Sequence, residues 1–486
     1  IALQFAQLVN AKIVEEIHFM RKVVVDGSNT SGFQRTGLIA TGGIIEYDGK
    51  ILELDQLCLE EDSCRHGEED HEYLLDRLGV PLLEITTKPQ LNDSKDVQKA
   101  AKAIGRLLRA CNVKRGLGTI RQDVNVSINN GQRVELKGFQ DLASMPKVVE
   151  NEMKRQSSLY QMKEGKIGQP INVDNCFKKK RKFSLALKIE NWNGILGNKD
   201  SPEGHVRMGR ELADYAKRAG LKGIMHSDEL PAYGIDNEET ENIKLILGCN
   251  DNDAFILIFG KEKIAKNAMK IIVERINTKG VPKEVRKVTP ENLTRYLRPM
   301  PGASRMYPET DIAPFKLANL KVRKPKTLDE REKDLPLNDE ESKQLVNNEL
   351  DEQFNNLNKK FDLPKLLSRI LLHTLPQLKN EGEAISESDL EKVLILFQKG
   401  VIVKEGIPKA LVQSSRNEEI QVNSDNVEAE LEDFIESLVS DKKEFIKEKG
   451  MGAVGALMGP VMSKFRGKMD GGDINKVLME KVKEIL

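Results

Sequence analysis

The sequence predicts an α+β multidomain chain, in which a mixed-sheet domain carries an inserted α/β unit and is followed by a helical domain and a helical tail. Three observations carry this expectation. Two stretches fold back at turn sequences, Ile44 to Leu54 around Asp48-Gly49 and, with alternating polar and apolar residues, Arg121 to Lys137 around Asn129-Asn130-Gly131. The run Phe255-Ile256-Leu257-Ile258-Phe259 is apolar without alternation, as in a strand buried on both faces, and leads into a helical pattern from Ile264 to Ile276. From about Leu328 onward apolar residues recur only at helical spacing, with no strand run of note.

With 486 residues the chain has room for three or four domains of roughly 150 residues each. Lys and Arg total 76 and Asp and Glu total 76, so no net field drives the chain onto nucleic acid or membrane, and any polyanion contact must be local. Aromatic residues make up 5% with a single Trp192, which argues against carbohydrate platforms or stacking surfaces. Five scattered cysteines without a CxxC pair suggest a reducing compartment and no zinc site. No apolar run approaches the ~18 residues of a membrane span, and the first residues are unlike a signal peptide, so a cytoplasmic location is expected.

In chain order, Ile1, Phe5 and Leu8 stand at helical spacing, so the chain is expected to begin within a helix, with a segment preceding it. A basic strand, Arg21-Lys22-Val23-Val24-Val25, runs into the turn-rich segment Asp26 to Thr36. Its Gly, Ser, Asn and Thr residues either form a plain polar loop or cradle phosphate between Arg21, Lys22 and Arg35; the Walker order is absent. After the first hairpin come two acidic anchors in apolar surroundings, Leu59-Glu60-Glu61-Asp62 and Glu84 within Pro81-Leu82-Leu83-Glu84-Ile85-Thr86. A carboxylate among leucines and isoleucines costs several kcal/mol, roughly, unless a cation or donor meets it. Either these acids are solvated and Glu84 pairs with a neighbour such as Arg77, or they hold Mg²⁺ with a phosphate, since that ion is commonly bound by one or two carboxylates plus substrate oxygens.

A helix with Val97, Ala101, Ile104, Leu108 and Cys111 inward follows, capped by Asp93 or Ser94. The second hairpin sets Arg121, Asp123, Asn125, Ser127, Arg133, Glu135 and Lys137 on one face; they are either a solvated surface or the wall of a phosphoryl-transfer cavity with Glu61 and Glu84. Lys147 to Lys163 is charged and helical in pattern. Lys178-Lys179-Lys180-Arg181-Lys182 is either a solvated linker or a contact for RNA phosphates. Beyond it Phe183 to Ile189 reads as a strand, and Ser201-Pro202-Glu203 as the start of a helix over Val206 to Arg218. In the helical half, Leu366, Leu367, Ile370, Leu371 and Leu375 suggest one core-facing helix, and Leu390, Val393, Leu394 and Phe397 another. Basic Lys464, Arg466 and Lys468 near the end suit either an RNA backbone grip or a plain helix connection.

Several long motifs together resemble the GatB/GatE amidotransferase family, formed by the E-type subunit of archaeal Glu-tRNA(Gln) amidotransferase and the B-type subunit of the bacterial enzyme. They are Met20-Arg21-Lys22 with Asp26 to Thr36, Leu59-Glu60-Glu61-Asp62, Arg77-Leu78-Gly79-Val80-Pro81-Leu82-Leu83-Glu84, Gly116 to Ser127, and Arg305-Met306-Tyr307-Pro308-Glu309-Thr310-Asp311. The stretch Ser201 to Leu212 with Leu221-Lys222-Gly223-Ile224 looks like an insertion related to bacterial aspartyl-tRNA synthetase, which the archaeal subunit has and the bacterial one lacks. The resemblance implies a cradle domain over 1–182, an aspartyl-tRNA synthetase-like insertion over 183–296, a return to the cradle over 297–330, a helical domain over 331–422 and a YqeY-like tail over 423–486.

It also implies ATP-dependent transamidation: ATP phosphorylates the γ-carboxylate of glutamate on tRNA(Gln), and ammonia from an asparaginase-like partner, the D-type subunit, displaces phosphate, in a heterotetramer of two D-type and two E-type subunits. In the family a Gly-Leu-Glu-Ile-His segment and two glutamates hold Mg²⁺; Glu61 and Glu84 match the latter two, and the former lies outside this sequence. On that reading Glu61, Glu84 and Lys22 carry the reaction. Arg21, Ser28, Asn29, Thr30 and Gln34 hold phosphate, Asp123, Asn125, Glu135 and Lys137 line the nucleotide cavity, and Lys464, Arg466 and Lys468 meet tRNA. The alternatives are a tRNA-binding scaffold without chemistry of its own, and a synthetase relative, against which the absence of synthetase catalytic motifs weighs.

Overall fold

The structure is a computed structural model that describes the chain apart from residues 26, 70, 71, 117, 129, 130, 140, 180, 199–205, 301, 303, 304, 318, 319, 421–426, 466–468 and 470. The Asn129-Asn130 turn and the Ser201-Pro202-Glu203 helix start therefore lie outside the described residues. The chain divides into two compact units, Ile1–Pro325 and Lys326–Leu486.

In the first unit, β1 (Lys12–Ile13), β2 (Phe19–Val23), β3 (Phe33–Thr41), β4 (Ile44–Tyr47), β5 (Lys50–Glu61), β6 (Pro81–Thr87) and a returning strand, Met306–Pro308, form a seven-stranded sheet. The β4–β5 hairpin turns at Asp48 (φ 48°) and Gly49 (φ 72°), the two consecutive left-handed residues that a two-residue hairpin turn needs. Twelve residues long, β5 pairs with β4 through its first half and with both β3 and β6 through its second. One face packs Leu52, Leu54 and Leu57 into a single core with Phe5 of α1 (Ala2–Leu8) and with Leu108 of α2 (Ser94–Ala110). Asp93 caps α2, its carboxylate accepting from the Lys95 N–H at 2.7 Å.

The second hairpin, β7 (Val124–Val126) and β8 (Val134–Lys137), belongs to a four-stranded sheet. After α3 (Met145–Gln161), a third sheet is built from β9 (Ile171–Asn172), β10 (Ser184–Ile189), β11 (Met225–His226) and β12 (Ala254–Phe259). It carries α4 (Met208–Arg218) and α6 (Glu262–Asn277) against one face, through Leu212 and Ile272, and α5 (Asn237–Leu247) against the other, through Ile243. The apolar run Phe255 to Phe259 is buried on both sides, as its lack of alternation predicts, but its partners β10 and β11 run antiparallel to it. The chain then rejoins the second sheet through β13 (Glu284–Val288), parallel to β8, and β14 (Thr294–Pro299).

The third sheet and its core also draw on residues outside 183–296. Asn172 and Ile171 already pair with β10, and Val126, Leu136 and Val148 share one core with Leu187, Ile256 and Ile272. The charged pattern of α3 explains the join. Glu152, Arg155 and Gln156 are buried rather than solvated, and Arg155 and Arg286 hold Glu152, Glu211 and Glu284 in one ion cluster linking α3, α4 and β13. At the start of the basic run, Lys178 is likewise engaged: its Nζ lies 2.7 Å from both Asp236 and Glu238 at the start of α5.

Described residues of the second unit are helical from Leu328–Lys333 onward, as the spacing predicts. Leu366, Leu367, Ile370 and Leu371 are buried along one helix that loosens into a π-turn at Ile370–Thr374, just before Pro376, which has no N–H to donate. Ser386 caps the helix Glu387–Gln398 in a reciprocal box with Asp389, each side chain meeting the other's N–H at 3.2 Å. Replacing Ser386 with alanine is expected to cost about 1 kcal/mol in chemical denaturation of the second unit; a cost near zero would mean that the cap is idle. Leu431, Ile435, Leu457, Phe465, Ile474 and Leu478 close the core of the final helices.

Candidate active site

Strand alternation decides which acids meet. On β5, Leu57 and Leu59 point into the core beside α2, and on β6 so do Leu83 and Ile85. Glu60 and Glu84 therefore point the opposite way. The register makes them neighbours: Cys58 lies opposite Glu84 and Glu60 opposite Leu82. Glu61, opposite Pro81, projects from the reverse face. The expectation that Glu61 and Glu84 share an ion is thus corrected, because residues of opposite parity on paired strands stand on opposite sides of the sheet.

Lys22 of β2 shares the face of Glu60, and its Nζ lies 2.5 Å from Glu60 Oε1, both side chains being largely buried. Glu84 reaches solvent but is crowded by protein on its other sides. Burial raises its carboxyl above the ordinary range, the hydrogen-bonded Glu60 adds to the rise, and Lys22 and Lys137 pull against it. Beneath the pair the buried Cys58 thiol is pushed up to about 11, by burial first and then by Glu84 and Glu60.

Lys137 brings the second sheet to this face. Burial works against its ammonium, yet Asp123 at 2.5 Å and Glu135 at 2.8 Å outweigh that and raise its pKa. The polar hairpin face expected from sequence is present, with Asn125 opposite Glu135. Its Lys137 end lies near Glu84.

The reverse face carries what the sequence expectation placed at a phosphate. Arg21 and Arg35 stand opposite each other on β2 and β3, and the wholly buried Glu309 carboxylate takes both, at 2.5 Å each. Arg35 also lies 3.1 Å from Glu61. With two guanidiniums and the N–H groups of Thr310 and Asp311 on it, Glu309 is held down at about 2, the Arg21 bond being the largest cause. Arg21 is therefore tied up within the sheet rather than presented to phosphate.

The loop after β2 folds inward for a similar reason. Cys64 N–H donates to the Ser28 carbonyl at 2.8 Å and Gly32 N–H to that of Asn29 at 2.9 Å, which buries the side chains of Ser28 and Asn29. Of the expected phosphate ligands there, Thr30 is exposed, and Gln34 is turned to the backbone carbonyl of Glu61. Arg77 pairs with Asp62 at 2.8 Å, where Arg121 joins it at 3.1 Å, and not with Glu84. In the second unit the Lys464 ammonium sits 4.3 Å over the Phe434 ring, a cation–π contact that leaves its head partly engaged; Arg466 and Lys468 lie outside the described residues.

Glu60 and Glu309 are the residues that sequence reasoning missed in these roles. Alternation around Leu57, Leu59, Leu83 and Ile85 was the signal for Glu60; nothing short of the fold marks Glu309, 288 residues from Arg21. Among the described residues no group of three or more His, Cys, Asp or Glu stands ready to hold a metal. Glu60 and Glu84 still suit a hard divalent cation in part: two touching carboxylates are balanced at contact distance by one ammonium, and Mg²⁺ takes its remaining ligands from water and phosphate. A hollow of about 420 Å³ beside Asn193, Ser227, Lys244 and Cys249 lies against the third sheet and includes none of these side chains.

The chain matches the family profile described as GatB/GatE catalytic domain over residues 1–323, and that described as GatB domain over residues 352–482. Among curated proteins it is 40% identical to the E-type subunit of glutamyl-tRNA(Gln) amidotransferase from Archaeoglobus fulgidus, over all of this chain and 83% of that protein. The proteins of the same name from Methanococcus vannielii and Thermococcus sibiricus are each 38% identical, over 99% and 100% of this chain and 83% and 84% of theirs.

Proposed function

This chain belongs to the GatB/GatE family of tRNA-dependent amidotransferase subunits, and from that premise we infer that the face bearing Lys22, Glu60, Glu84 and Lys137 is where the glutamyl group is activated and amidated. Its activity is the transamidation of Glu-tRNA(Gln) to Gln-tRNA(Gln), an amidotransferase ligase reaction that uses ATP. The observation that carries the assignment of the site is the acid pair Glu60–Glu84, set with Lys22 and Lys137 at the junction of two sheets.

In the reaction we propose, a γ-carboxylate oxygen attacks the γ-phosphorus of ATP and ADP leaves. The nitrogen of ammonia then attacks the acyl carbon, sheds a proton, and phosphate departs. The first step brings together two anions, carboxylate and triphosphate, that must be neutralised and aligned, and the second admits a neutral amine to the acyl phosphate. Lys22 and Lys137 supply fixed positive charge on one wall of the site, and Asp123 and Glu135 keep Lys137 protonated for that task. Glu60 and Glu84 would hold Mg²⁺, which when bound supplies charge neutralisation for the nucleotide phosphates. The burial of Cys58 and Leu57 beneath the pair keeps water from that side of the acids. An asparaginase-like partner supplying ammonia, in a complex of two such partners and two of these chains, completes the reading, and Lys464 with Arg466 and Lys468 remains our proposal for a tRNA contact.

A paired substitution tests the site. Glu60→Gln is expected to lower ATP-dependent amidation of Glu-tRNA(Gln) by about a hundredfold or more, whereas Glu61→Gln, on the reverse face, should keep it within about tenfold. The opposite ranking, in a complex assayed with its ammonia-supplying partner, would sink the assignment of this face.

A further inference from the structure

We propose that Glu309 is a positioning residue for the reaction, acting through the β2–β3 strand pair to hold Lys22 against Glu60; the idea rests on the site assigned above. Arg21 and Arg35 face each other across β2 and β3, and like charges directly opposite on a sheet repel. One buried carboxylate resolves that repulsion. Glu309 Oε1 accepts from Arg21 at 2.5 Å, from Thr310 N–H at 2.8 Å and from Asp311 N–H at 2.7 Å, and Oε2 accepts from Arg35 at 2.5 Å. Its own N–H donates to the Phe19 carbonyl at 3.0 Å, so side chain and backbone together fasten the returning strand to the edge of β2.

The residues that alternate with this cluster are those of the site. Lys22 follows Arg21 on β2 and projects from the other face, where it meets Glu60, and Glu61 follows Glu60 on β5 and meets Arg35. The two ion clusters are thus back to back on the same strands. Any turn of β2 that lets Arg21 and Arg35 separate also swings Lys22 from Glu60. A carboxylate brought in from the far end of the first unit therefore sets the aim of Lys22 without touching substrate. Arg21, held by Glu309 and Asp311 on the reverse face, stands away from the face that bears Lys22 and Glu60.

The test is a double-mutant cycle in the complete complex, measuring kcat and KM for Glu-tRNA(Gln) amidation. Glu309→Gln is expected to lower kcat by about ten- to a hundredfold with KM changed less than about twofold, and Glu309→Asp, which keeps the charge, to fall between it and the unsubstituted chain. If Glu309 acts through Lys22, adding Glu309→Gln to Lys22→Met will cost little beyond Lys22→Met alone. An unchanged kcat, or losses that multiply in full, would overturn the proposal. Should Glu309→Gln fail to fold by circular dichroism, the cycle with Glu309→Asp decides in the same way. The Glu60→Gln variant separates the two ideas: if it stays active the site itself is misplaced, whereas an inactive Glu60→Gln with a fully active Glu309→Gln removes only the positioning role.

Discussion

Glutamine in place of Glu84 is expected to lower ATP-dependent amidation by at least about a hundredfold while leaving tRNA affinity within a few-fold and raising the melting temperature slightly. The loss corresponds to about 2.7 kcal/mol of transition-state stabilisation, at ~1.36 kcal/mol for each tenfold, well within what one charge-neutralising anchor supplies. The gain in stability follows from the direction of the Glu84 shift. Burial, and then Glu60, raise its carboxyl above the unfolded value, so the folded chain prefers the protonated form. That preference is satisfied below the unfolded pKa and lost as pH rises through the folded one, so at neutral pH the ionised group opposes folding. Glutamine removes the charge and keeps the shape. Because Glu84 reaches solvent, water screens much of this cost and the rise should be small. Calorimetry together with an amidation assay checks both halves; a variant that loses activity and also melts early would mark Glu84 as structural.

The second large effect concerns stability alone. Arg286 is wholly buried, and its guanidinium meets Glu211 at 2.7 and 3.0 Å, Glu284 at 2.6 Å and the Thr294 hydroxyl at 2.8 Å. Arg155 meets Glu152 at 3.0 and 3.1 Å, Glu211 at 3.1 Å and Glu284 at 3.2 Å, and the Tyr215 hydroxyl donates to Glu284. Arg286→Met leaves Glu211 and Glu284 short of a cation inside the protein and is expected to cost about 3–5 kcal/mol in chemical denaturation. Arg286→Lys should recover little, because an ammonium cannot reproduce the forked set of bonds. A loss under about 1 kcal/mol for Arg286→Met would show that the surroundings relax and rehydrate the acids. Since β8 lies parallel to β13, with Leu136 opposite Arg286, the same variant should also loosen the strand that carries Lys137.

Much of this architecture can be read without coordinates. The Asp48-Gly49 hairpin, the buried strand at Phe255 to Phe259, the Asp93 cap of α2 and the helical second unit all follow from short-range rules of alternation, turn chemistry and capping. The motifs around Lys22, Glu84 and Glu309 mark the family, which the similarity to known relatives bears out. Alternation even separates Glu60 from Glu61, because Leu57 and Leu59 claim the core face of β5.

What the chain's own order could determine was which residues point the same way along one strand, since that depends on a two-residue period. It could not say which strand lies alongside which, or in what register, and so could not make Glu60 and Glu84 neighbours. The burial of Glu152 and Arg155 on a helix that reads as charged, and the meeting of Glu309 with Arg21, were likewise settled only in three dimensions. A charge is driven inward only when opposite charges from distant segments arrive to meet it, and that arrival is a property of the folded molecule, not of any stretch of its sequence.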